Sequence, residues 1–164
     1  MAAKRKSTQP RKESPDANEL LTLELQEIHS AENQLSRVLP RLTKSIESDK
    51  LGQMFEERLK EGTRLIEEIE AVFEEMEESP GRKKNVAVEG LINDAREHAQ
   101  EISTGAALDA VLIGAMQKTE HYCIAAWGTA RALAEAVGQK TAVRAMERAL
   151  KEGSAFDERS ESVV

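Results

Sequence analysis

The run Ala106 to Val137 sets the tightest limit on what this chain can fold into. Its 32 residues contain no proline and many strong helix formers. Apolar residues recur in it at helical spacing: Val111, Leu112, Ala115 and Met116, then Tyr122, Ala126, Ala130, Leu133 and Val137. A helix of that length must lay such a stripe against other elements. Glu120 and His121 stand in the middle of the stripe. A carboxylate buried there costs several kcal/mol unless a proton, a cation or a metal compensates it. The plain alternative is a glutamate at the stripe's edge that reaches water.

Three further segments repeat the pattern. The first predicted helix starts at Pro15-Asp16 with an Asp or Asn cap and runs from Ala17 to Ile46, with Leu21, Leu25, Ile28, Leu35 and Leu39 at core spacing and Glu32 on the same face. Pro40 should kink it. The second, Asp49 to Glu78, places Leu51, Phe55, Leu65, Ile69 and Phe73 inward; Glu61 lies close to that face, with Arg58 as its natural i,i+3 partner. Ser79 to Asn85 is a loop marked by Pro80-Gly81 and three cations, and a short helix, Val86 to Ile102, follows. After the 106–137 helix, a last one from Lys140 to Arg159 carries Glu152 and Asp157 as inward candidates.

Few aromatics (3%), one cysteine and periodic segments poor in glycine predict an all-α bundle of four long helices. The short helix fits a crossover between two parallel helices. Cys123 excludes an internal disulfide; no segment resembles a signal peptide or a membrane span, so the expected location is cytoplasmic. Residues 1–15 are polar, non-periodic and expected to be a disordered basic tail, leaving 16–162 for the bundle. The tail carries +4 of an overall −7, so the body carries −11, and only the tail is expected to contact DNA, weakly. Carboxylates on four helices are the arrangement used for di-iron and di-manganese sites, and hard oxygen donors suit both metals. Alanines 125, 126, 130 and 134 suggest surplus apolar surface and a homodimer.

The pieces His29-Ser-Ala-Glu-Asn-Gln-Leu35, Phe55 to Phe73, Val88 to Ile92 and Thr119-Glu-His-Tyr-Cys-Ile-Ala-Ala-Trp-Gly128 resemble the YciF/YciE-type bacterial stress proteins, a ferritin-like family. The resemblance spans about residues 17–160 and implies a ferritin-like four-helix bundle, a dimer, and a dinuclear iron or manganese site. Matched by position, the metal residues it implies are Glu32, Glu61, Glu120, Glu152 and Asp157, with His121 adjacent. This chain departs from the family pattern at four places. Arg58 stands at a usual His, Gly62 at a usual Thr, Cys123 at a usual Glu, and Gly153-Ser154 at a usual Glu-Lys. Three functions therefore remain open. One is a stress protein with a weakened metal site that handles oxidants or iron. The second is a metal-free structural or interaction protein in which Arg58 neutralises the core carboxylates. The third is a nucleoid-associated protein that uses the tail.

Overall fold

The structure, a computed structural model, describes residues 14–163. Residues 1–13, and with them the disorder and DNA contact expected of the basic tail, lie outside the described residues. Five helices follow one another: α1 (Ala17–Thr43), α2 (Asp49–Glu75), α3 (Val86–Glu101), α4 (Ala106–Val137) and α5 (Lys140–Glu161). No strand occurs among the described residues, and none of the described helices is long and apolar enough to cross a membrane.

Local chemistry fixes the helix starts. Asp16 accepts from the Glu19 N–H while Glu19 accepts from the Asp16 N–H, both at 2.9 Å, closing a capping box on α1. Ser48 and Asn85 cap α2 and α3 by accepting from the N–H groups of Leu51 and Val88. Two ends come earlier than the periodicity suggests. The α1 helix stops at Thr43 because the N–H groups of Glu47 and Ser48 turn away to donate to Asp109, at 3.0 and 2.8 Å. Pro40 consequently sits in the last turn, with little helix beyond it to bend. The α2 helix stops at Glu75, Glu77 adopts a left-handed φ of 54°, and the Glu78 N–H returns to the Phe73 carbonyl in a Schellman-type closure.

Cross-helix pairs define the topology. Arg159 meets Glu57, Arg148 meets Glu68, and Thr141 meets Glu75, so α5 runs antiparallel to α2. His121 meets Asp157 and Arg131 meets Glu147, so α5 is antiparallel to α4 as well. Short connections make α1 antiparallel to α2, and the contacts of Glu47 with Asp109 and of Glu32 and Glu120 with Arg58 make α1 antiparallel to α4. The ring is therefore α1–α2–α5–α4, with the parallel helices α2 and α4 on a diagonal. The chain must travel back along the bundle between them, and α3, packed on α1 and α4, lies in that crossover.

The buried face of α4 differs from the stripe expected beyond Met116. It passes through Thr119, Glu120, Cys123, Trp127, Ala130 and Ala134, leaving Tyr122, Ala126, Leu133 and Val137 half-buried. Ala130 and Ala134 are thus used inside the bundle, and the surplus apolar surface expected on this helix is smaller by those two residues. Larger exposed apolar side chains occur instead on α1, where Leu20 and Leu23 are 40% and 46% exposed.

Candidate functional site

The α2 core reads Leu51, Phe55, Arg58, Gly62, Leu65, Ile69 and Val72, so a guanidinium and a glycine hold positions that helical spacing reserves for apolar residues. Arg58 is 2% exposed. Its Nη1 and Nη2 donate to Glu32 Oε2 and Oε1 at 3.0 and 2.9 Å, a two-pronged pair, and its Nε donates to Glu120 Oε2 at 2.8 Å. The Trp127 ring centroid lies 5.5 Å from the guanidinium carbon, an added cation–π contact. Glu32 and Glu120 are 1% and 0% exposed, which makes the triad a fully desolvated charge cluster across three helices.

One guanidinium faces two carboxylates here, and the electrostatics follow from that imbalance. Burial opposes the Arg58 charge, but Glu120 and Glu32 outweigh it and hold its pKa above the usual arginine range. Burial pushes the Glu120 carboxyl up; Arg58 pulls it down, Glu32 and Asp157 add to the rise, and the net direction is upward. Glu120 Oε1 is the one buried side-chain oxygen or nitrogen among the described residues that lacks a hydrogen-bond partner. The thiol of Cys123, fully buried beside the triad, is pushed up by burial and then by Glu32.

Two glycines make room for this arrangement. A Cβ on Gly62 would lie 2.6 Å from Glu32 Oε2 and 2.8 Å from Arg58 Nη1. On Gly153 it would lie 2.7 Å from the Trp127 ring and 3.1 Å from Glu120 Oε1. Arg58, Gly62 and Gly153, three of the departures read in the sequence, thus form one packing unit.

The other sequence-derived candidates lie around this centre rather than in it. Glu61 is half-buried, and its carboxyl is pushed up by burial and by Glu152. It is not the partner of Arg58: it sits at the edge of α2, whereas Arg58 points inward to Glu32 and Glu120. Glu152 pairs with Arg64 and Arg148 at the α2–α5 rim. His121 is 63% exposed and bonds to Asp157 at 3.1 Å. Helical spacing also missed two anchors. Asp109 holds the α1–α2 turn, and buried Asn85 donates to Tyr122 Oη and the Glu27 carbonyl while its N–H donates to Ser30 Oγ. Their sequence signal was polarity at positions flanking or inside an apolar face.

These residues do not suit the dinuclear iron or manganese group that the resemblance implies. The two carboxylates that a pair of dications would share already accept from a fixed cation lying between them. At an effective dielectric of about 20, a unit charge 4–5 Å from a dication repels it by several kcal/mol. Among the described residues no three His, Cys, Asp or Glu side chains are grouped to hold one ion.

Comparison with known proteins places this chain in a family. A domain of unknown function, DUF892, matches residues 16–163. The chain belongs to the DUF892 family. Its relatives include Protein YciF of Escherichia coli (strain K12), 40% identical over 134 residues that cover 81% of each chain. The crystal structure of the E. coli stress protein YciF superposes with a TM-score of 0.85 at 36% identity, covering 92% of this chain and 95% of that one. YcfI of Rhodopseudomonas palustris, proposed to be a structural protein, superposes with a TM-score of 0.86 at 31% identity, covering 94% and 98%. The ferritin-like bundle read from the sequence is the fold of this chain, α3 in the crossover included, and both solved relatives superpose on it over more than nine-tenths of its length.

Proposed function

We propose that this chain is a stress-response protein of the YciF kind that works as a structural or interaction protein, its core closed by an arginine instead of a dinuclear metal. The observation that carries the reading is the Arg58 guanidinium seated between Glu32 and Glu120. A fixed internal cation satisfies most of what the buried carboxylates require, so no bound ion is needed for the bundle to form. The likeness to a stress protein supports the stress-response part of this reading, and the likeness to a protein proposed to be structural supports the structural part. We add a homodimer to it, supported by exposed Leu20 and Leu23 three residues apart on α1.

Light scattering coupled to elemental analysis, on protein purified without chelator and reloaded with Fe(II) or Mn(II), tests the reading. The expected result is a dimer with less than one ion per chain, and higher occupancy in Arg58→His/Cys123→Glu. One or more tightly held ions per wild-type chain contradict the arginine-closed core, and a monomer at tens of micromolar contradicts the dimer.

A further inference from the structure

The body of this protein is strongly acidic, yet folding gathers six of its cations along one groove. Two adjoining clefts of ≈ 290 and ≈ 370 Å³ lie along α1, one against α3 and one against the 79–85 loop, and they share Gln34, Arg37 and Lys84. Arg37, Arg41, Arg82, Lys83, Lys84 and Arg96 line them, with Glu89 the only carboxylate in either lining. Arg37, Arg41, Arg82 and Arg96 are exposed and enter no ion pair among the described residues. Lys83 pairs with Glu27 at 2.7 Å and Lys84 with Glu89, exposed contacts that a stronger anion displaces at little cost. The three cations of the 82–84 loop, unused by the core, acquire a role only beside α1 and α3.

We propose that this groove is a docking surface for the phosphate backbone of double-stranded nucleic acid, bound without sequence preference. The linings run along α1 from Gln26 to Arg41, about 22 Å at 1.5 Å per residue, or roughly two-thirds of a duplex turn. A row of cations over that length matches a chain of phosphates better than a single small anion. No Phe, Tyr or Trp lines either cleft, and the one ring there, His29, is bonded to Glu70 and packed edge-on to Phe73, so no free aromatic platform is offered to unpaired bases, which favours a duplex over a single strand. Protein interfaces need a buried aromatic or apolar anchor, and these clefts are fringed mainly by guanidinium, ammonium and amide groups. Arginine forks suit phosphate oxygens. The sequence alone assigned any such contact to the tail, because the groove's cations come from three segments that only the fold brings together.

The test is fluorescence anisotropy of the full-length protein with a 20-base-pair duplex across a salt series. The groove variant Arg37→Gln/Arg41→Gln/Arg96→Gln is expected to bind at least tenfold more weakly, with a log–log salt slope shallower by about 2–3, since each lost phosphate contact removes about 0.9. Arg37→Lys/Arg41→Lys/Arg96→Lys should retain most of the binding, which separates lost charge from lost fold. A full-length chain with Lys4, Arg5, Lys6, Arg11 and Lys12 all changed to Gln should keep the groove-dependent part. The proposal is overturned if the groove variant binds like wild type, if no binding occurs at low salt, or if a single strand of equal length binds more tightly. Displacement of the duplex by millimolar inorganic phosphate at constant ionic strength would show a small-anion pocket instead. A change of oligomeric state in the groove variant, with duplex binding unaltered, would make the groove an interface between copies.

Discussion

A Cβ on Gly62 would enter the space held by Glu32 Oε2 and Arg58 Nη1, so the two residues are coupled. Gly62→Thr, the residue that the resemblance assigns there, should lower unfolding stability by about 1–3 kcal/mol by overpacking. In an Arg58→His background the same change should cost at least 1 kcal/mol less, as read by a denaturant double-mutant cycle; additive effects would contradict the packing described. Glu120 gives a pH signature. Its folded-state pKa is raised by burial above the ordinary value of 4.5, so the folded state takes up the proton more readily than the unfolded chain. The resulting stability is fully present below about pH 4.5 and declines as pH rises through the folded-state pKa. Glu24 and Glu61, also raised by burial, tilt the curve the same way, so the test is the difference between wild type and Glu120→Gln. Stability of the variant relative to wild type should increase as pH rises above 4.5; a constant difference would show that Glu120 does not titrate there. At this scale the sequence was only half legible. Its place in an apolar stripe marked Glu120 as unusual, and departure from the resembled family's pattern marked Arg58 and Gly62, but which carboxylates an arginine reaches depends on the rotation of three helices, and Glu61 was the wrong partner.

The helices themselves were legible from periodicity, with a cap read only at the start of α1; in the structure Ser48 and Asn85 cap α2 and α3 as Asp16 caps α1. Their ends were less so. Glu77 adopts the left-handed conformation without being glycine, and α1 stops where it does because Asp109, sixty residues away, captures two amides. Asp109→Ala should remove both charge-assisted bonds and cost roughly 2–3 kcal/mol. Hydrogen exchange should accelerate at the Glu47 and Ser48 amides and leave the Val88 amide on α3 unchanged. Unaltered protection at Glu47 and Ser48 would assign the α1–α2 turn to another cause.

The whole bundle is built as an antiparallel ring whose two parallel members force a crossover, which is why a short helix between two long ones was already interpretable from segment lengths. The ring brings the carboxylates of Glu32 on α1 and Glu120 on α4 to a common centre, and that centre holds the Arg58 guanidinium of α2. The direct probe of that claim is the Arg58 Nε–H resonance in a ¹⁵N-labelled sample titrated with Zn(II), a diamagnetic stand-in for Fe(II) and Mn(II). The expected result is a solvent-protected signal whose position and protection are unchanged through two equivalents of metal, because the group remains hydrogen-bonded to Glu120 and no ion enters between Glu32 and Glu120. A signal that moves or loses its protection at one or two equivalents, or that is never protected from exchange, would contradict an arginine-closed core.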